Sequence, residues 1–336
     1  MAGSKTPFSD REAESVRVAG FDVDFEALAA HCATGSRDGL PDAIPQAALD
    51  AIRSRFLRAG RDSLRAMADG AGWLQLSISP QGMAAAALYE EIGSLFDHAL
   101  ETGDAAEAFF MHKPPGLRLR LQSNSIGGEA CRGLLSAAAG RWTKAGFIAA
   151  AGFETYEPEQ GLFGGRAAMA HVHRLFTADS RFWLAQHSRR VSPTERLMAA
   201  LALLRRLYVS LGIIDWEDID VWEKVRDRTG RAVPDEARLD AGVKRSVYDS
   251  FVEAWAAPDR ACATMDPAIR SDVATLSERF AKLGPGWRSC LQRDQPYPSP
   301  RAAAALYTIF FLNRADISIE RQRLVADALA SRSTVD

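Results

Sequence analysis

The amino-acid sequence predicts an α+β fold: a small, largely antiparallel sheet formed early in the chain, surrounded by helices, with a helical C-terminal half. Three observations predict it. WLQLSIS at 73–79 and LRLRLQ at 117–122 alternate in polarity with the period of a strand. From about residue 166 onward, apolar residues recur at helical spacing instead. Alanine, the strongest helix former, is abundant.

Taken in order, residues 1–44 are polar and punctuated by Gly and Pro (DGLPDAIP), which predicts a loosely structured N-terminal segment ahead of a single domain over 45–336. Leu49, Ile52, Phe56 and Leu57 share one face of a helix predicted over 45–68. The strand 73–79 follows, then the turn signal SPQG and a helix to about 101. Strands near 108–112 and over 117–122 are joined by a Pro-Pro-Gly turn. A helix over 129–145 precedes two short strands near 147–150 and 153–157. Helices are predicted over about 166–187, 193–211, 216–228, 240–256 and 267–283, the last stopped by Gly284-Pro285-Gly286. WRSCLQR reads as a short turn or helix and DQPYPSP as a loop, before helices near 300–313 and 317–331.

Composition bounds the function. With 47% apolar and 25% charged residues among 336, the chain matches an ordinary soluble globular protein. A net charge of -2 supplies no electrostatic attraction to nucleic acid or to an anionic membrane. The chain contains no bilayer-length apolar run, and its start lacks a signal-peptide core, so a cytoplasmic location is expected. Cys32, Cys131, Cys262 and Cys290 are far apart and fit reduced thiols. No dinucleotide fingerprint, phosphate loop or nucleophile elbow is present, and Gly164-Gly165 is too short a signal for a phosphate site. His171 and His173, two apart on a predicted helix, diverge around its axis and are not expected to share a metal. No cofactor is expected, which leaves acid–base and hydrogen-bond chemistry, or binding.

Arg118 and Arg120 alternate with Leu117, Leu119 and Leu121, so both arginines point to one side of their strand. That side is either a solvated face or the wall of a cleft directed at anions or carbonyls.

Three stretches, FFMHKPPGLRLRLQ (109–122), GFETYEPEQGLFGGRAAMAHVHRLFTADSRFWL (152–184) and LYTIFFLNR (306–314), occur in this order. Together they resemble the C-terminal, glutamate-eliminating domain of lanthipeptide dehydratases and its stand-alone relatives in thiopeptide biosynthesis. The family pattern is an aromatic strand, a Pro or Gly turn and H-L-R-L-R; then Y-x-P-E-x-x-R-Y-G-G with a helix ending near D-S; then H-M-x-x-N-R. The resemblance spans about 73–330 and implies that the arginine strand lines an active-site cavity. Three positions depart from the pattern. Gly116 replaces the His before L-R-L-R, Leu162 the Arg before the glycine pair, and Ile309 the His before Asn313-Arg314. In the eliminating enzymes the Arg lost at 162 and the His lost at 309 belong to the proposed catalytic set. Isoleucine cannot carry a proton and leucine cannot bind a carboxylate.

The departures resemble the thiopeptide pyridine synthase branch. That branch joins two dehydroalanines of a dehydrated, azole-containing precursor peptide in a formal [4+2] aza-cycloaddition and expels water and the leader peptide as a carboxamide. The resemblance implies no cofactor, and as partners the leader-bearing precursor and other thiopeptide biosynthetic enzymes. The alternatives are a split glutamate-eliminating lyase and a non-catalytic leader-binding module.

For proton transfer the candidates are Ser289 and Gln292, three apart and on one face of a helical turn, with Tyr297 in a proline-bounded loop. The alternatives for these residues are a helix cap, a solvated turn and a core-packing aromatic. Arg118, Arg120 and Glu157 are the substrate-binding candidates; Glu157 or Glu159 of YEPE pairs with an arginine or forms a structural salt bridge. Asp179-Ser180 serves the family motif or organises its helix.

Overall fold

The computed structural model describes residues 15–70, 72–81, 85–113, 116–124, 128–228, 241–293 and 298–332. The chain divides into two compact units, Met1–Asp69 and Gly70–Asp336.

In the first unit, strands β1 (Ser15–Val18) and β2 (Phe21–Asp24) form an antiparallel hairpin through Ala19 and Gly20, both at positive φ. Asp24 caps the helix α1 (Phe25–Thr34) by accepting the Ala27 N–H, and left-handed Gly35 ends it. Helix α2 (Gln46–Gly70) follows. The stretch expected to be loose carries regular elements over 15–34. Val18, Val23, Leu28, Leu40 and Ile44 are scattered in sequence, yet they close a small core with Leu49. On α2, Leu49 is buried while Phe56 and Leu57 are exposed.

The second unit carries the predicted sheet. Its strands β3 (Trp73–Pro80), β4 (Ala105–Lys113), β5 (Gly116–Ser123) and β6 (Ile148–Glu154) pair antiparallel in the order β4-β5-β3-β6. The Pro114-Pro115 turn lies outside the described residues. One uninterrupted strand, β6, replaces the two short strands predicted over 147–157. Register aligns Leu117, Leu119 and Leu121 with Ile78, Leu76 and Leu74 on a buried face. Helices α3 (Ala85–Glu101) and α4 (Glu129–Lys144) pack on the sheet and bring Ile92, Phe96, Leu135 and Trp142 into the same core.

Strand β4 is an edge, and an exposed edge invites unwanted pairing. Helix α5 (Arg166–Ser188) covers it: Thr177 Oγ accepts the Ala108 N–H at 3.1 Å and Ser180 Oγ accepts the Phe110 N–H at 3.3 Å. Ser180 thus satisfies the sheet as well as belonging to its helix.

The rest is helical: α6 (Pro193–Ser210), α7 (Glu217–Asp227), α8 (Ala241–Ala256), the short α9 (Pro258–Ala263), α10 (Pro267–Arg293), α11 (Pro300–Arg314) and α12 (Ile319–Ala330). Helix α10 runs straight through Gly284-Pro285-Gly286, where a stop was predicted. These glycines act by packing rather than as breakers. A Cβ at 284 would overlap Ser210 and one at 286 would overlap His171, so Gly lets α10 lie close against α6 and α5. That burial outweighs the local cost of a proline, about 3 kcal/mol. Among the described residues no helix is long and apolar enough to cross a membrane.

Gly116 shows a similar constraint at the start of β5. A Cβ there would overlap the carbonyl oxygen of Ile78 on β3. Gly116→Ala is expected to lower the unfolding free energy by about 1–3 kcal/mol, read by urea denaturation. An unchanged midpoint would show that the two strands part at no cost.

Candidate functional site

The face of the sheet opposite the leucines carries Arg118 and Arg120. Register places Arg120 between Gln75 and Phe109, and Arg118 between Ser77 and Met111. Strand β6 adds Glu154 opposite Gln75. These neighbours join in one chain of polar contacts. Arg120 Nε donates to Gln75 Oε1 at 2.7 Å, Gln75 Nε2 donates to Glu154 Oε2 at 2.9 Å, and Arg118 Nη2 lies 3.3 Å from the same carboxylate oxygen. A buried amide thus bridges a guanidinium and a carboxylate.

Rings surround Arg120. Its guanidinium carbon lies 4.5 Å from the centroid of Tyr156 and 5.2 Å from that of Phe109. Tyr156 belongs to the irregular segment after β6, and its hydroxyl meets His173 Nε2 of α5 at 2.9 Å. Trp73 packs on His173 with centroids 4.4 Å apart. Burial pulls the His173 imidazole down to about 3, with Arg120 adding to the effect, and burial pushes the Tyr156 phenol up. At neutral pH the pair is a phenol beside a neutral imidazole. Burial also raises the Glu159 carboxyl, while Arg120 and Lys113 oppose the shift.

A second polar cluster lies deeper. Asp179 and Arg314 are both fully buried. Arg314 Nη2 donates to Asp179 Oδ2 at 2.6 Å, Arg314 Nε lies 2.6 Å from Oδ1, and the Tyr307 hydroxyl donates to Oδ2 at 2.6 Å. Phe176 covers the guanidinium at 4.2 Å. Burial raises Asp179 to about 6, against the pull of Arg314 and Tyr307.

Two histidines hold the backbone on which Arg314 sits. His112 Nδ1 donates to the Asn313 carbonyl at 2.8 Å, so its Nε2 accepts from the Tyr89 hydroxyl at 2.7 Å. His187 Nε2 donates to the Arg314 carbonyl at 2.8 Å, leaving Nδ1 to accept from Arg196 at 3.2 Å. Arg196 also donates to the Ala315 carbonyl at 3.0 Å and approaches Asp316. Burial lowers both imidazoles, His187 to about 3.

The predicted site residues divide accordingly. Arg118 and Arg120 do lie side by side on one polar face. Arg118 pairs with Glu154 and not with Glu157 or Glu159; Glu157 is exposed. The reason is that β6 runs unbroken to 154, which places that carboxylate opposite Gln75. Ser289, half-buried, and Gln292, exposed, lie on the last turns of α10, whose buried Trp287 donates to the Phe163 carbonyl at 3.2 Å. Tyr297 lies outside the described residues. Leu162 is half-exposed and Ile309 is buried in α11.

Tyr156, His173 and Gln75 were absent from the predicted set. Their signal was weak: His173 appeared only as half of H-x-H, and Tyr156 only as the first letter of YEPE. Cavities of about 280 Å³ (lined by Asp97, Arg181 and Asp272, among others) and 430 Å³ (lined by Trp216, Asp220 and Arg301, among others) also occur, and neither includes a residue of the arginine face.

Comparison with known proteins adds the following. The family model for the lantibiotic biosynthesis dehydratase C-terminal region matches residues 73–334. A tRNA-dependent lantibiotic dehydratase, MibB from Microbispora sp. 107891, is similar in structure, with a TM-score of 0.57 and 19% identity over 78% of this chain. The match spans only 28% of the MibB chain. The TsrL structure aligns with a TM-score of 0.44 and 14% identity, over 77% of this chain and 93% of that one. No curated protein matches significantly.

Proposed function

The chain belongs to the lantibiotic biosynthesis dehydratase C-terminal family, and on that premise we propose that it closes the central pyridine of a thiopeptide. Its substrate is a ribosomal precursor peptide that already carries azoles and two dehydroalanines. The amide beside one dehydroalanine tautomerises to an iminol, giving a 2-azadiene. This adds across the second alkene in a formal [4+2] step. The six-membered ring then loses water and the leader peptide as a carboxamide, leaving an aromatic pyridine within a macrocycle. The sequence is redox-neutral, and its largest demand is holding two distant parts of one peptide together.

One observation carries this reading. Ile309 is buried in the helix that also positions Arg314, and together with Leu162 it leaves the two positions to which the resemblance assigns glutamate elimination without an ionisable group. The arginine face retains what a cycloaddition needs: fixed cationic donors for substrate carbonyls, supplied by Arg118 and Arg120. Ser289, Gln292 and Tyr297 are assigned to proton relay during tautomerisation and departure of the leaving groups.

Glu159 favours a second reading. Its exposed carboxyl lies within electrostatic reach of Arg120, and that placement suits removal of an α-proton in glutamate elimination. One experiment separates the two. The full chain, without added cofactor, is incubated with a bis-dehydroalanine, thiazole-containing precursor and, separately, with a glutamylated serine peptide. Mass spectrometry is expected to find the macrocycle and the free leader carboxamide from the first and no change in the second. Loss of glutamate from the second peptide selects the lyase; tight leader binding with no mass change in either selects a binding module. Tyr297→Phe is expected to lower kcat about a hundredfold with little effect on peptide affinity, measured by progress curves and fluorescence anisotropy.

A further inference from the structure

Arg120 is fixed from two directions. Its Nε–H is held by Gln75, and its guanidinium carbon lies over the rings of Tyr156 and Phe109. Among the described residues neither Nη atom makes a hydrogen bond, so these groups are the ones available to a ligand. Gln75 and Phe109 sit on strands and are held by the sheet. Tyr156 does not; it lies on irregular chain between β6 and α5. Its ring meets Trp73 and Phe109 edge to face and is tied through its hydroxyl to His173, which stands on a buried stretch of α5 against the same two rings.

We infer that Tyr156 and His173 are positioning residues, whose mutual hydrogen bond holds the phenol ring against Arg120 so that the guanidinium presents its Nη groups to a carbonyl of the peptide substrate. This rests on the reading that Arg120 binds the precursor peptide. Neither side chain carries charge in the role. The phenol is an anchor for a flat surface, and the imidazole is the peg that anchors it. The energetic logic is preorganisation: a loop-borne ring that wandered would let Arg120 sample orientations that must be given up when substrate binds.

Two variants test the role. His173→Phe keeps the ring contacts with Trp73 and Phe109 and removes the hydrogen bond. Tyr156→Phe keeps the surface under Arg120 and removes the same bond from the other side. In each, KM for the bis-dehydroalanine precursor is expected to rise about tenfold while kcat stays within about twofold, and His173→Gln, which can still bond the phenol, is expected to return KM to within about threefold of wild type. A readout independent of turnover is the Arg120 Nε–H resonance in the nitrogen–proton NMR spectrum, identified by its loss in Arg120→Lys. It is expected to shift in His173→Phe and Tyr156→Phe and to return towards its wild-type position in His173→Gln. An unmoved resonance in both Phe variants overturns the positioning role. A moved resonance with unchanged KM overturns its link to substrate binding. If the wild-type chain forms no macrocycle, the cycloaddition reading falls, and the NMR measurement alone still decides whether the pair positions Arg120.

Discussion

Asp179→Ala is expected to lower the unfolding free energy by about 3–5 kcal/mol, the largest effect of any single substitution considered. Arg314 would keep its charge inside a fully buried pocket, with Phe176 over its face and its one carboxylate partner among the described residues gone. Tyr307 would lose the acceptor of its hydroxyl at the same time. The cost comes from the stranded cation more than from the lost attraction, because a buried ion pair gains little over a well-packed apolar pair. Asp179→Leu combined with Arg314→Met is therefore expected to recover more than half of the loss. Urea denaturation of the single and double variants provides the check. A single variant that costs under about 1 kcal/mol would mean that the guanidinium escapes to water and that the pair is not a fixed part of the core.

Acidification is expected to destabilise the fold well above the usual carboxylate range. His173 and His187 have folded values near 3 against an ordinary value of 6.5. An imidazole lowered by folding takes up its proton preferentially in the unfolded chain. Its contribution is intact above about 6.5 and is lost as pH falls towards 3. His112 is lowered too and acts in the same direction. The local contacts explain the resistance to charging: a proton on His187 Nδ1 would point at Arg196, and one on His173 would add charge beside Arg120. Asp179, raised to about 6, works in the opposite sense by taking up a proton in the folded state, and Glu107 and Glu159 are raised as well. The two imidazoles held near 3 are displaced further than Asp179 and outweigh the opposing carboxyls, so between pH 7.5 and 4.5 the net loss is on the order of 3 kcal/mol. Melting temperature against pH should fall most steeply below 6.5, and a flat profile down to pH 4.5 would contradict the assignment of neutral, buried imidazoles. His187→Asn is expected to flatten the acid limb.

The features legible in the sequence are those that repeat within a few residues. Arg118 and Arg120 alternate with leucines, which was enough to place both on one face and to predict the strand. The apolar period of 166–187 predicted α5 to within one residue of its end. The hairpin at Ser15–Asp24 escaped notice because four-residue strands are too short to display a period. The Gly-Pro-Gly of α10 misled because its local propensity is overridden by close contact with helices far away in sequence. The partners of the site are hidden for the same reason. Arg314 and Asp179 are 135 residues apart, and only the folded chain brings them together. Tyr156 and His173 are on a loop and a helix that share no pattern. That Glu154 is the carboxylate paired with Arg118 depends on where β6 ends, which no local pattern marks.

The close approach at Gly116 also bears on ancestry. An imidazole at 116, which the resemblance gives for that position, would have to share its space with the Ile78 carbonyl oxygen. A single codon change would then restore the letter without restoring the site, since Ile78 would have to withdraw first. Reversion would need at least two coordinated changes, with an unfavourable intermediate between them.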